Sequence, residues 1–131
     1  MSTLLKRQVL DNGVVVEFFD RSNRYFGDYH RICIDVSCRI RLSVDVFRTT
    51  GDAEAEYRKA STALGDEAVY RRTLERMGVP GAEVEETCQR MVDEFCQTNF
   101  SYLGSPEFPA RFVAKEMAKA RKPRHLFVPK P

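Results

Sequence analysis

Four cysteines and two histidines are the residues of this chain with the widest choice of chemistry, and their spacing decides most of it. Cys33 and Cys38 differ by an odd number of positions, so an unbroken strand turns them to opposite faces and one zinc ion cannot take both. A bulge between them would reopen that site. Cys88 and Cys96 lie about 12 Å apart along a helix axis, too far for two sulfur ligands each ~2.3 Å from one metal. A mixed site would need His30 or His125 delivered by the tertiary fold.

Nucleophilic catalysis requires a base within hydrogen-bond reach of the nucleophile. His30 shares a strand face with Cys38 but stands about 26 Å from it along an extended chain, and His125 falls in a tail. The expectation is therefore no catalytic residue, no metal and no cofactor. Cys38 and Cys88 are expected as packed thiols, and Cys33, on the wet face, as the thiol open to reagents.

Glu83, Glu85, Glu86, Asp93 and Glu94 sit where helix solvation and the helix dipole explain them, so they read as structural and not as an acid and base pair. The seven glycines are scattered as turn and helix-end residues, without a phosphate-cradling fingerprint. Leu10-Asp11-Asn12-Gly13 resembles an opening found in several unrelated families, the pitrilysin-type zinc peptidases among them, over four residues. Their HxxEH motif has no counterpart, because His30 is followed by Arg31, Ile32, Cys33 and Ile34.

Composition narrows the class. With 43% hydrophobic and 31% charged residues, the 131-residue chain has the make-up of one ordinary globular domain. Twenty-one basic and 19 acidic residues leave a net charge of +2, too small for a strong global field towards nucleic acid or anionic lipid. No stretch approaches the ~20 apolar residues of a membrane span, and the N-terminus lacks the basic-then-apolar order of an export signal. These features predict a cytoplasmic protein with reduced cysteines and no membrane partner.

The elements follow from periodicity. Leu4 to Leu10 and Val14 to Phe19 flank Asp11-Asn12-Gly13 and predict a hairpin. Asp20 to Tyr29 reads as a connecting loop with Tyr25 and Phe26 turned back towards the core. From His30 to Phe47 the pattern alternates without a break. His30, Ile32, Ile34, Val36, Cys38, Ile40, Leu42, Val44 and Val46 share one face; Arg31, Cys33, Asp35, Ser37, Arg39, Arg41, Ser43 and Asp45 share the other.

Such a strand would run for roughly 55 Å, whereas a compact chain of this length is only about 35 to 40 Å across. Hairpin strands of about seven residues can pair roughly half of it. A bulge that bends the strand, a helix laid along its edge, or the same strand from a second copy would each cover the remainder. Bending combined with self-pairing is the expectation, hence a homodimer through the long strand.

After Thr49-Thr50-Gly51 the period becomes helical. Asp52 caps a first helix carrying Ala53, Tyr57, Ala60 and Leu64, and Asp66 caps a second carrying Tyr70, Leu74 and Met77. A third places Val84, Cys88, Met91, Val92, Phe95 and Leu103 on one side, and a fourth opens at Ser105-Pro106-Glu107 with Phe112, Val113, Met117 and Ala120. Pro123 ends it, and residues 123–131 form a basic, proline-containing tail.

The sequence thus predicts an α+β domain over residues 1–122: a three-stranded antiparallel N-terminal sheet with a long, bent third strand, then about four helices on one sheet face. The functional expectation is a non-enzymatic homo-oligomeric interaction or adaptor protein. Its candidate surface is Tyr25, Phe26, Tyr29, Arg31, Cys33, Arg39 and Arg41. Two alternatives stay open: a nucleic-acid binder using the arginine strand face with Arg121, Lys122, Arg124 and Lys130, and an enzyme whose site forms across a subunit interface.

Overall fold

A computed structural model describes residues 2–48 and 51–121. It is an α+β fold: β1 (Thr3–Val9), β2 (Val15–Asp20), β3 (Asn23–Phe26), β4 (Tyr29–Arg41), α1 (Ala53–Leu64), β5 (Glu67–Pro80), α2 (Val84–Leu103) and α3 (Phe108–Arg121). The five strands form one antiparallel sheet with β4 at its centre. Among the described residues the expected three strands and four helices are thus five and three, because two segments read as a helix and a loop are strands.

Both edges of β4 are occupied inside one chain. On one side β2 runs beside it from Val15 opposite Arg39 to Asp20 opposite Ile34, and β3 continues from Asn23 opposite Arg31. At the junction the Arg21 N–H donates to the Cys33 carbonyl at 2.7 Å, and the Cys33 N–H donates to Ser22 Oγ at 3.0 Å. On the other side β5 follows β4 from Arg41 opposite Glu67 to Tyr29 opposite Pro80. Opposite the step from His30 to Ile32, β5 carries one extra residue between Arg76 and Val79, where Gly78 takes φ 70°.

The long strand therefore has no unpaired half. It ends at Arg41, and the alternation beyond it becomes a short 3₁₀ turn over Val44–Phe47, so the strand is shorter than expected as well as fully matched. Self-pairing through β4 is corrected on this ground.

β5 replaces the second helix. Tyr70, Leu74 and Met77 fit a helical spacing, but Ala68, Tyr70, Arg72 and Leu74 also alternate, and they lie opposite Ile40, Cys38, Val36 and Ile34 of the apolar face of β4. Arg72 hides that alternation: its guanidinium lies 5.7 Å from the centre of the Phe95 ring, so a charged residue occupies a core-facing position by stacking on an aromatic. Pairing along the whole of β4 overrides the helix preference of Glu, Ala, Arg, Leu and Met.

The core lies between the sheet and the helices. Val16, Phe18, Ile32, Ile34, Val36, Cys38 and Ile40 of the sheet meet Cys88, Met91, Val92 and Phe95 of α2, with Phe18 and Phe95 edge to face at 5.6 Å. Tyr70 packs against Phe112 at 5.7 Å and so ties α3 to β5. α1 carries the chain from β4 to β5, starting at Asp52, whose carboxylate accepts from the Ala55 N–H at 3.2 Å.

The expected β1–β2 turn is present and does more than reverse the chain. Gly13 takes φ 87°, a conformation L residues rarely adopt. Asn12 Nδ2 donates to the carbonyls of Leu103 at 2.7 Å and Ser105 at 2.8 Å, which gives the end of α2 donors it lacks within the helix. Asn12→Ala should lower stability by about 1–3 kcal/mol, because the Leu103 carbonyl loses its side-chain donor in a half-buried site and the Ser105 carbonyl keeps only the Phe108 N–H. A urea titration checks this: the midpoint should fall with an unchanged slope, and an unmoved midpoint would show that the clamp contributes nothing.

Candidate functional site

The residues singled out in the sequence separate into two groups. Tyr25, Phe26 and Tyr29 stand together at one end of the sheet, on the β3–β4 hairpin and not on a free loop. Phe26 and Tyr29 are cross-strand partners flanking a two-residue turn in which Gly27 takes φ 54° and Asp28 a negative φ, the signs of a type II′ hairpin. Tyr25 is the extra residue of a bulge between Arg24 and Phe26.

These aromatics face solvent, contrary to the expectation that Tyr25 and Phe26 turn back to the core. Phe26 is 73% exposed, Tyr25 and Tyr29 are 48% exposed each, and Met77 of β5 is 53% exposed. Unbroken alternation from Arg24, opposite His30, would carry Phe26 to the helix side; the extra residue instead sets it opposite Tyr29 on the outer face. The Tyr25 hydroxyl reaches towards β5, where a Cβ added to Gly78 would stand 3.9 Å from it. Asp28 ties the same end to the start of α2, its backbone carbonyl accepting from the Gly81 N–H at 3.0 Å.

Arg31, Cys33, Arg39 and Arg41 belong to the second group, on the sheet face turned away from the helices. Arg31 Nε donates to Glu75 Oε2 of β5 at 2.6 Å. Arg39 Nη2 lies 3.1 Å from Glu17 Oε1 of β2, a carboxylate that also faces Arg7 at 3.5 Å. Arg21 holds Asp35 through two hydrogen bonds, and Thr73 Oγ1 donates to Asp35 Oδ1 at 3.1 Å. This face carries neutralised pairs in place of a continuous positive stripe.

Arg41 stands apart at the far end of the sheet. With Asp11, Asp45 and Arg48 it lines an open depression of about 500 Å³ near the β1–β2 turn. Two acids and two arginines there create no field of one sign and little apolar enclosure.

Cys33 is not the exposed thiol expected. It is fully buried although it belongs to the outer face. Its neighbours along β4 are Arg31 and Asp35, and across the sheet Arg21 and Glu75, so two ion pairs flank it on either side. Alternation identifies a residue's face; it does not show what long paired side chains cover on that face.

The other thiols are equally constrained. Burial pushes Cys38 up to about 11, and burial also raises Cys88, with Asp20 adding to the effect. Cys96 is half-buried, with Lys6 Nζ 3.8 Å from its sulfur; burial raises it, and the lysine opposes that shift. His30 is half-buried between Arg24 of β3 and Val79 of β5. His125, Lys122, Arg124, Lys130 and the whole 123–131 tail lie outside the described residues.

Among the described residues no group of three or more His, Cys, Asp or Glu side chains is placed to hold a metal ion. Among them, too, no helix is long and apolar enough to cross a membrane. Comparison of the chain with protein-family models, curated proteins and solved structures finds no match in any of the three.

The ion pairs around Cys33 generate two expectations. Asp35 is held below the usual carboxylate range by its hydrogen bond from Arg21, helped by that from Thr73. Its contribution to stability is then complete above pH ~4 and lost as pH falls through the lower folded value, so Asp35→Asn should flatten the acid limb of the stability curve. The same substitution should speed labelling of Cys33 by a thiol reagent about tenfold at pH ~8, read by peptide mass spectrometry. Equal Cys33 labelling in both proteins would show that the ion pairs do not shield the thiol.

Proposed function

We propose that the protein is a non-enzymatic, homo-oligomeric interaction protein that takes a protein partner on the aromatic tip of its β3–β4 hairpin. The supporting observation is the outward display of Tyr25, Phe26 and Tyr29 on hydrogen-bonded strands, with exposed Met77 preceding Gly78, the residue that the Tyr25 hydroxyl approaches. Aromatic residues and Met are enriched in the cores of protein interfaces, where a few of them carry most of the binding energy. Held on paired strands, they lose little conformational freedom when a partner closes over them.

The partner this tip suits is one offering an apolar pocket to Phe26 and hydrogen-bond acceptors to the two tyrosine hydroxyls. Nucleic acid is less well served, because Arg31 and Arg39 are engaged by Glu75 and Glu17. Chemistry is not favoured either, since His30 and the buried thiols do not converge on an accessible site.

Phe26→Thr combined with Tyr29→Thr tests the reading with residues that keep strand preference. The variant should hold its thermal midpoint within about 3 °C of the parent. Proteins cross-linked to the parent chain in extract of its own cells, identified by mass spectrometry, should fall about tenfold in yield with the variant. Capture of the same proteins in the same yield by both chains would overturn the tip as the contact surface. A salt-dependent gel shift with mixed DNA and RNA that the variant retains would overturn the class of partner.

A further inference from the structure

Correcting the pairing of β4 moves the open edge of the sheet to β5. β5 spans 14 residues, pairs with β4 on one side, and among the described residues has no strand on the other. Residues 71–73 and 75–78 are exposed. Soluble proteins blunt such edges by keeping them short or by placing proline or like charges along them. Here the strand is long, its proline comes at the last position, and its charges are of both signs. β1, the other outer strand, has seven residues and is interrupted by a register shift between Leu4 and Lys6, whereas β5 keeps an unbroken register from Glu67 to Arg76 before its extra residue near Gly78.

The order of those charges is self-complementary. A two-fold axis perpendicular to the sheet lays a second β5 antiparallel beside the first and keeps each face on its own side, so residues of equal parity lie opposite. When Thr73 faces Thr73 of the second copy, Arg71 faces Glu75 and Glu75 faces Arg71 on the outer face. On the helix side Tyr70 faces Arg76 and Arg72 faces Leu74. Moving the axis by one residue places Arg72 opposite Arg72, or Arg72 opposite Arg76. Moving it by two places Arg71 opposite Arg71, or Glu75 opposite Glu75. Like charges directly opposite destabilise a strand pair. The Thr73 register is thus the one, within two residues either way, that sets no like charges against each other.

The geometry points to a second copy of this chain as the occupant of the edge: an isologous dimer in which two β5 strands pair antiparallel about Thr73 and join the two sheets into one. The inference rests on the homo-oligomeric part of the proposed function and replaces the route through β4. Glu75, which already holds Arg31 of its own β4, then also faces Arg71 of the second copy. All three helices of each copy stay on the same side of the joined sheet, and the hairpin tips with Phe26 point away from the axis at opposite ends.

Thr73→Cys tests the register directly. Opposed residues in an antiparallel pair have Cα atoms about 4.5–5.5 Å apart, within the range of about 4.4–6.8 Å that a disulfide spans. The two introduced sulfurs should therefore link under mild oxidation. Arg71→Cys is the control, because its two copies would be displaced by about 13 Å along the strands. The expected result is a disulfide dimer forming at least about tenfold faster with Thr73→Cys than with Arg71→Cys. In light scattering at about 50 µM the unmodified chain should have dimer mass, and Arg71→Glu should weaken association about tenfold by facing Glu75. A monomer mass for the unmodified chain, or equal oxidation of both cysteine variants, would overturn the proposal. Phe26→Thr with Tyr29→Thr should remain dimeric; its dissociation would place the interface at the tip and overturn the edge pairing. Loss of tip partners by a chain that stays dimeric would leave the present inference intact, so the two readings fail separately.

Discussion

The main-chain N–H and C=O groups of β4 are the constraint around which the rest of the fold is arranged. A 13-residue strand buried at the centre of a sheet must satisfy its polar backbone on both sides, since an unpaired buried donor or acceptor costs as much as a lost hydrogen bond. One side is met locally, by the chain running out along β2 and β3 and returning through the Gly27-Asp28 turn. The other side requires a strand of equal length, and β5 supplies it after the α1 crossover. That requirement outweighs the intrinsic helix preference of residues 67–77 and explains why so charged a segment is extended.

Once β4 is saturated, the two faces of the sheet take different solutions. The helix side is apolar, closed by α2 and by the aromatic contacts of α3 with Tyr70. Among the described residues the outer side has no helix over it and is covered by its own long side chains, arginines of one strand reaching carboxylates of the next. That arrangement shields Cys33 and neutralises two of the three arginines on which a basic nucleic-acid face would have depended. Exposed ion pairs contribute little to stability one by one. Their effect here is to cover the surface and to determine which charges remain available for contacts.

Much of the framework was legible in the residues. Asp11-Asn12-Gly13 identified the first hairpin, and the stripe from Cys88 to Leu103 identified α2, because turn chemistry and a strong 3.6-residue period are local signals. β5 was not legible. Arg72 and Arg76 broke the alternation of its core-facing positions, and what makes it a strand is a partner far earlier in the chain, Val36 and Ile32 lying opposite these two arginines. β3 was hidden for a related reason: Ser22, Asn23, Gly27 and Asp28 read as loop, and only pairing with Tyr29, His30 and Arg31 makes the segment extended. Of the candidate surface, the aromatic cluster could be named but not its outward display, because a bulge at Tyr25 has no signature in one sequence.

Hydrogen exchange of individual β4 amides, followed by NMR in the intact chain, tests the double pairing of that strand most directly. With β2 and β3 on one edge and β5 on the other, odd and even amides alike from Ile32 to Ile40 should exchange slowly, close to the limit set by global unfolding. Amides of β5 bonded to β4 should be protected with them. Fast exchange at every second amide of β4, with protection of successive amides from Glu67 to Met77 in the manner of a helix, would contradict a central strand matched within its own chain.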